Sequence, residues 1–195
     1  MFGLEKIHLI PAAIPPHKQR EEICPPEHRL EMVRLAVEGN RCFAVSDMEL
    51  KREGPSYTID TVHIFMSGLG LEADNFLLMG LDAFFDIKTW RRYKDLLATL
   101  PFIVMGRPLP AVETHGDTMH RMAAYLKEIT GNDYALDATG RHLIHMEAPP
   151  VFYAEVTRFD ISSTRIRCLI QAGEPIDYLV PEPVRRYIIE KGLYQ

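Results

Sequence analysis

Short apolar runs alternate with stretches of helical spacing along the chain, and this alternation most constrains the fold. Each apolar run predicts a buried strand: Lys6–Ile10, Cys42–Val45, Asn75–Gly80, Phe102–Met105 and Val151–Val156. Strands that alternate with helices are typical of an α/β fold with a doubly wound, mostly parallel sheet. The near-continuous apolar run Asn75–Gly80 predicts a central strand covered on both faces. In such sheets, ligands bind in the crevice at the carboxyl ends of the strands.

Composition narrows the possible classes of function. Hydrophobic residues make up 47% of the 195 residues and charged residues 25%, which is ordinary for a globular protein of about one domain. The net charge of −5 argues against a broad nucleic-acid surface, and no apolar run is long enough to cross a membrane. The three cysteines lie far apart, which argues against a disulfide framework or a zinc cluster and favours the cytoplasm: Cys24, Cys42 and Cys168.

One stretch after the last predicted strand combines hydroxyl groups, arginines and the start of a helix. It reads FDISSTRIRC over Phe159–Cys168, and either Asp160 or Ser162 is suited to cap the helix. The free N–H groups of a helix start suit a polyphosphate, and so do arginine side chains. The alternative is an ordinary capped surface helix with two solvated arginines. The side chains that could hold a polyphosphate are Ser162, Ser163, Thr164, Arg165 and Arg167.

A proline-rich loop follows the first predicted strand and contains His17 and Lys18. Pro15 and Pro16 stiffen the chain just before this basic pair. Because the pair follows a strand end, we expect it to contact a phosphate. A solvated basic pair on an exposed loop is the alternative.

Further candidates follow the third and fourth predicted strands. Gly80 lets a ligand approach the backbone, and Asp82 could accept a hydrogen bond from a sugar hydroxyl or help to hold Mg²⁺. Alternatively, Asp82 caps a short helix over Ala83–Ile87. Trp90, the only tryptophan, could stack on a planar ring, although a core tryptophan is the commoner case. Arg107 stands at another strand end.

Other patterns favour structure over chemistry. Ser56 or Thr58 is suited to cap the helix that follows them. GLGLEA at Gly68–Ala73 spells the dinucleotide-binding fingerprint but closes a helix, so we interpret it as a helix end. His142 and His145 would lie on opposite faces of a strand, so we interpret them as structural residues and not as metal ligands.

Several motifs occur in order across nearly the whole chain: PPHK at Pro15–Lys18, ELKREGPSYT at Glu49–Thr58, MGLDAF at Met79–Phe84, TW at Thr89–Trp90, GRP at Gly106–Pro108, FDISSTRIR at Phe159–Arg167, LVPEPV at Leu179–Val184 and YIIEKGLY at Tyr187–Tyr194. Together they resemble the motifs of bacterial nicotinate-nucleotide adenylyltransferases. The combination of ISSTxxR with PSYT and VPEPV is specific, whereas any one of them alone would be weak.

The resemblance implies a Rossmann-like nucleotidyltransferase fold and transfer of AMP from ATP to nicotinate mononucleotide, with Mg²⁺. The products would be deamido-NAD and pyrophosphate, in NAD biosynthesis. The implied partners are ATP and nicotinate mononucleotide, with no nucleic-acid polymer and no membrane, and a homo-oligomer is compatible with them. By this resemblance, the ATP phosphates would be held during catalysis by Ser162, Ser163, Thr164 and Arg167. Asp82 would face the nucleotide sugar. His17 and Lys18 would lie near the mononucleotide phosphate.

The same resemblance implies a site for the nicotinate ring. Tyr57, Thr58 and Trp90 would frame the ring, with Trp90 stacked on it. Backbone amides near Thr58 and Arg91 would meet the ring's carboxylate. Members of the family often have an aromatic residue where this chain has Arg91.

One departure concerns the amino-terminal end. The family opens with a strand, a glycine-rich turn and an H-x-G-H signature whose histidines contact the ATP phosphates, and this chain has no such motif. We therefore expect residues 1–195 to form one nucleotidyltransferase domain that lacks a first segment of roughly thirty residues, with 159–195 as its carboxy-terminal helical part. The missing strand is central in the family's sheet, so the remaining strands would flank a gap.

Two alternatives remain open at this point. A related nucleotidyltransferase could use another acceptor, such as phosphopantetheine, although Tyr57, Thr58 and Trp90 favour a pyridine ring. For the chain without an H-x-G-H motif, a non-catalytic nucleotide-binding domain is the second alternative. Binding of ATP without release of pyrophosphate would identify that second case.

Overall fold

The computed structural model describes residues 2–15, 24–69, 74–106, 114–157 and 159–195. The chain divides into two compact units. We call Met1–Ser56 with Asp160–Gln195 the terminal unit, and Tyr57–Phe159 the central unit.

Strands and helices alternate along most of the chain but not between Ala135 and Glu155, where three strands follow one another, and each of the five predicted strands forms. The strands are β1 (Ile7–Leu9), β2 (Phe43–Val45), β3 (Leu77–Gly80), β4 (Phe102–Gly106), β5 (Ala135–Leu136), β6 (His142–Ile144) and β7 (Val151–Glu155). The helices are α1 (Pro26–Val37), α2 (Thr58–Leu69), α3 (Leu81–Phe85), α4 (Tyr93–Thr99), α5 (His115–Thr130), α6 (Ser163–Gln171) and α7 (Glu182–Glu190), with a 3₁₀ turn at Ile87–Thr89.

The described strands form two sheets. The central unit holds a five-stranded sheet in the order β3-β4-β7-β6-β5. Strands β3, β4 and β7 are parallel, with Val104 of β4 opposite both Met79 of β3 and Tyr153 of β7. Strands β6 and β5 continue the sheet in antiparallel pairing. In the terminal unit, β1 and β2 form a parallel pair.

Strand β3 is not central in the sheet that the described residues form. It pairs there only with β4 and stands at the edge, so the central position predicted for Asn75–Gly80 is wrong. Met79 is buried, whereas Leu77 and Leu78 are only half-buried. An apolar run indicates that the side chains of a strand are buried. It does not indicate whether the strand pairs on one edge or on both.

Helix α5 supplies much of the core of the central unit. Met119, Met122, Leu126 and Ile129 recur at helical spacing, and all four are buried. The helix ends at Gly131, whose φ of 83° a side chain would disfavour. Other buried members of this core are Ile59, Phe84, Ile87, Leu96, Phe102, Val104 and Val151.

The terminal unit has a smaller core of its own. Its α1 and α7 are joined by a 2.8 Å contact between His28 Nδ1 and the Tyr187 hydroxyl. The buried residues of this second core are Ile176, Val184, Ile188 and Leu193. Within the described ranges, no helix of either unit has the length and apolar character to cross a bilayer.

Candidate functional site

The start of α6 has the geometry that the FDISSTRIRC motif predicts. Ser162 has extended backbone angles and caps the helix, because its Oγ accepts a hydrogen bond of 3.1 Å from the Arg165 N–H. Ser163 and Thr164 open the helix and are exposed. The first N–H groups of a helix have no acceptor within it, so those of Ser163 and Thr164 face outward with the partial positive charge of the helix start.

The two arginines of the motif have different partners. Arg167 Nη2 donates to Thr164 Oγ1 at 3.2 Å, because residues three apart lie on one side of a helix. This bond directs the Arg167 guanidinium toward the start of α6. Arg165 Nη1 donates instead to the carbonyl oxygen of Asp160 at 3.3 Å. The Arg167 guanidinium therefore lies toward the helix start, where the first N–H groups have no acceptor within the helix. The Arg165 guanidinium is hydrogen-bonded to the preceding loop.

Tyr194 lies close to the Arg167 side of α6. Burial raises the pKa of Tyr194 to about 12, and a hydrogen bond with Cys24 acts in the same direction. The charge of Arg167 lowers the pKa of this tyrosine, and Tyr194 and Ile166 pack against the same small core. The YIIEKGLY and ISSTxxR motifs, separate in sequence, thus come together in the terminal unit.

The central unit holds the residues predicted to frame a ring. Tyr57 and Trp90 are half-buried and pack on the margin of the core. The Arg91 guanidinium carbon lies 4.5 Å from the centroid of the Tyr57 ring, a cation–π contact. Trp90 follows the 3₁₀ turn, and its N–H donates to the Ile87 carbonyl at 2.9 Å. Thr58 opens α2, so its backbone N–H lies at a helix start.

Asp82 does not cap a helix. Helix α3 begins at Leu81, its N-cap is Gly80, and no side chain bonds to the cap. The capping alternative for Asp82 is therefore wrong. Its side chain is exposed, and within the described ranges no protein group hydrogen-bonds to its carboxylate. This carboxylate is available for a sugar hydroxyl or a cation.

Ser56 has a role that the sequence does not reveal. It does not cap α2; its buried hydroxyl accepts from the N–H groups of Ala13 at 2.9 Å and Ile14 at 3.3 Å. The Ser56 N–H also donates to the Ile14 carbonyl at 3.0 Å. Ser56 is thereby tied to the chain that follows β1, within the terminal unit. No local pattern signals this contact, because its partners are more than forty residues apart.

The histidines have structural partners. His142 Nδ1 lies 3.4 Å from Asp137 Oδ1, and His145 Nδ1 accepts from the Glu147 N–H at 3.1 Å. These contacts agree with the structural interpretation of both residues. In the part of the chain that the structure describes, no group of three His, Cys, Asp or Glu side chains could hold a metal ion.

His115, for which the sequence offers no obvious partner, lies at the carboxyl ends of β4 and β7. Its Nδ1 is 3.6 Å from Glu155 Oε1, and its ring lies 5.1 Å from that of Tyr153. The Tyr153 ring also covers Gly106 closely: a β-carbon added at Gly106 would lie 2.1 Å from the Tyr153 hydroxyl. The glycine at this strand end is the sequence signal for that close approach.

The sequence of the chain is similar to a known protein family and to several of its members. The chain matches the cytidylyltransferase-like family over residues 1–169. It is 37% identical over 194 residues to a probable nicotinate-nucleotide adenylyltransferase of Desulfatibacillum aliphaticivorans, covering 99% of this chain and 87% of the relative. A protein of the same description from Moorella thermoacetica is 36% identical over 194 residues, covering 100% of this chain and 80% of the relative. The chain belongs to the nicotinate-nucleotide adenylyltransferase family.

Solved structures agree on the fold. The nicotinic acid mononucleotide adenylyltransferase of Plasmodium falciparum, in a complex with NaAD, superposes with a TM-score of 0.66 at 15% identity, over 97% of this chain and 82% of that one. A second structure of that enzyme, in a complex with APC, gives a TM-score of 0.64 at 14% identity and the same coverage. The predicted Rossmann-like nucleotidyltransferase fold is confirmed.

The predicted site residues of this nicotinate-nucleotide adenylyltransferase family member fall into three groups. The terminal unit brings together Ser162, Ser163, Thr164 and Arg167. The central unit contains Tyr57, Thr58, Asp82, Trp90 and Arg91, of which Tyr57 and Arg91 are in direct contact. The remaining candidates lie outside the described residues and stay predictions: His17, Lys18 and Arg107.

Proposed function

We propose that the chain transfers AMP from ATP to nicotinate mononucleotide, forming deamido-NAD and pyrophosphate in NAD biosynthesis. The observation that carries this proposal is the 37% identity, over nearly the whole chain, to a probable nicotinate-nucleotide adenylyltransferase. Two features of the structure support it. The open start of α6 suits a polyphosphate, and the aromatic margin beside Trp90 suits a planar ring.

In this reaction an oxygen of the mononucleotide phosphate attacks the α-phosphorus of ATP. The new phosphorus–oxygen bond forms as the bond from the α-phosphorus to its bridging oxygen breaks, and pyrophosphate leaves with that electron pair. The attacking phosphate is already anionic, so no enzyme nucleophile is needed. The contribution of the protein is to align the two phosphates and to stabilise the charge that develops on pyrophosphate.

We assign the phosphates of ATP to the start of α6. The N–H groups and hydroxyls of Ser163 and Thr164 would bind phosphate oxygens, and Ser162 would hold the helix start in place. Arg167, directed to the same place by its bond to Thr164, would bind the departing pyrophosphate. Arg165 has no assigned role in binding, because its guanidinium bonds to the Asp160 carbonyl.

We assign the acceptor nucleotide to the central unit. The pyridine ring would stack on Trp90 beside Tyr57, and backbone N–H groups near Thr58 and Arg91 would meet its carboxylate. His17 and Lys18 would approach the mononucleotide phosphate, and Arg107 is a further candidate contact.

Mg²⁺ fits this arrangement. The ion commonly binds through one or two carboxylates together with substrate phosphates, and Asp82 offers one exposed carboxylate that no described group engages. Bound with ATP, Mg²⁺ would neutralise negative charge on the phosphates. Asp82 is the side chain that we expect to contact either this ion or the nucleotide sugar.

We also place the reaction in the cytoplasm. Cys24, Cys42 and Cys168 are all free thiols, and unpaired thiols are typical of a reducing compartment.

The proposal is tested by measuring release of pyrophosphate from ATP and Mg²⁺ with the purified 195-residue chain. Nicotinate mononucleotide, nicotinamide mononucleotide and phosphopantetheine are supplied as separate acceptors. We expect release with nicotinate mononucleotide. Release with phosphopantetheine alone would replace the proposed acceptor. Binding of ATP without release for any acceptor would favour a non-catalytic nucleotide-binding domain.

A further inference from the structure

Arg91 differs from the arginine that follows it. Both side chains are exposed, and they are adjacent in sequence. The Arg92 guanidinium is neutralised, because its Nε lies 2.6 Å from Asp95 Oδ2. Arg91 has no carboxylate within 4.0 Å in the described part of the chain, and its guanidinium lies over the Tyr57 ring. Among the described residues, one positive charge of this pair is therefore uncompensated.

The contact with Tyr57 holds the Arg91 guanidinium without using its hydrogen-bond donors. In a stacked cation–π contact the flat face of the guanidinium lies against the ring, while its N–H groups point outward from the edge. The ring centroid lies 4.5 Å from the guanidinium carbon. The result is a cation held beside Tyr57, in the residue next to Trp90, whose donors form no hydrogen bond with the described residues.

Such a cation distinguishes a carboxylate from an amide. A carboxylate accepts two parallel N–H bonds from a guanidinium and cancels its charge. A carboxamide offers one oxygen and an NH₂ group that donates, so one guanidinium donor then faces another donor. Backbone N–H groups are uncharged donors that can donate to an oxygen of either group, so they discriminate less well.

We propose that the side chain of Arg91 is the specificity-determining group that selects nicotinate over nicotinamide at the ring site. The inference rests on the proposed function and adds to it the residue that chooses the substrate. Tyr57 has the role of a positioning residue, since its ring holds the Arg91 guanidinium carbon at 4.5 Å.

Binding measured through Trp90 tests this proposal without requiring turnover. Trp90 is the only tryptophan, so its fluorescence reports on the site beside Arg91. The full chain is titrated with nicotinate mononucleotide and, separately, with nicotinamide mononucleotide. We expect Arg91→Gln to weaken binding of the acid by about tenfold or more, and that of the amide by no more than about twofold. Arg91→Lys keeps the charge but loses the two-pronged geometry, so it should retain part of the preference.

Arg121→Gln is the matched control. Arg121 also lies over an aromatic ring, with 5.2 Å between its guanidinium carbon and the centroid of Phe85, and it has no assigned role in binding. This variant removes a comparable cation–π contact and should leave the ratio of acid to amide affinity unchanged. Circular dichroism of each variant establishes that it is folded.

The outcomes separate this inference from the proposed function. If the unmodified chain binds neither mononucleotide, the ring site and the role of Arg91 both fail. If it prefers the acid and Arg91→Gln keeps that preference, the inference about Arg91 is overturned and the proposed function stands. Equal weakening of both ligands by Arg91→Gln would reveal a role in packing alone and would also overturn it.

Discussion

Helices α5 and α6 both begin at a residue whose hydroxyl caps the helix. The two helix starts differ in whether an acidic side chain compensates their partial positive charge. At α5, Thr114 and Asp117 satisfy each other: the Asp117 N–H donates to Thr114 Oγ1 at 3.2 Å, and Asp117 Oδ2 accepts from the Thr114 N–H at 2.8 Å. At α6, Ser162 caps the helix, but the first turn contains no acidic residue. The positive end of α5 is compensated from within, whereas no acidic residue of the first turn compensates that of α6.

The two helices also differ in how they are anchored. Five residues of α5 are buried, including Met119, Met122 and Leu126, whereas no residue of α6 is fully buried. Substitutions at the start of α5 should therefore reduce stability. Substitutions at the start of α6 should reduce activity and leave most of the stability intact.

The largest effect is expected from Arg167→Gln. Loss of a charged donor to the leaving pyrophosphate should lower kcat by about 100-fold in the pyrophosphate-release assay. The melting temperature should change by less than about 3 °C, because α6 buries no residue fully. Arg186→Gln is the control: it removes an exposed arginine of α7 that pairs with Glu182 at 3.1 Å. A similar loss of kcat in both variants would contradict a specific role for Arg167.

Smaller effects are expected from removing the two capping hydroxyls. One variant should lose stability, and the other should lose affinity for ATP. Thr114→Ala should lower the free energy of unfolding by about 1 kcal/mol and leave kcat/KM nearly unchanged. Ser162→Ala should raise the KM for ATP several-fold, because the N–H groups of Ser163 and Thr164 lose their fixed orientation. Urea unfolding and steady-state kinetics on both variants measure the two effects. If the two variants gave the same pattern, the contrast between the helix starts would be lost.

The smallest effect is a dependence of stability on pH at the start of α5. Hydrogen bonds from Thr114 hold the pKa of Asp117 below its ordinary value of 3.8. A lowered pKa in the folded state stabilises the protein above pH 3.8, and this stabilisation is lost as the pH falls through the folded value. The difference in unfolding free energy between the unmodified chain and Asp117→Asn should therefore shrink as the pH falls from about pH 6 to well below 3.8. A difference that stays constant over this range would show that the charge of Asp117 is unimportant.

Local signals in the sequence predict much of this molecule. Strands β1, β2, β3, β4 and β7 follow from apolar runs, whereas β5 and β6 are not predicted. The cap at Ser162 follows from a hydroxyl residue just before a helical pattern. These features depend on residues within one or two turns of each other. The same is true of the pairing between Thr164 and Arg167.

The remaining features depend on neighbours that are distant in sequence. Ser56 bonds to Ala13 and Ile14, and no pattern around Ser56 indicates this loop as its partner. The edge position of β3 depends on which strands pair, and the contact of Arg91 with Tyr57 depends on how α2 meets the 3₁₀ turn. Sequence periodicity describes the faces of single elements, so it cannot reveal these contacts between elements.

The close approach of Gly106 to Tyr153 links two positions on neighbouring strands. The hydroxyl, Cε2 and Cζ of Tyr153 all lie within 2.5 Å of the place that a β-carbon at Gly106 would occupy. Removing the hydroxyl alone would leave the ring carbons in the way, so any larger residue at 106 requires a smaller one at 153. Positions 106 and 153 can therefore be changed only together. A design that introduces a side chain at the carboxyl end of β4 has to replace Tyr153 of β7 at the same time.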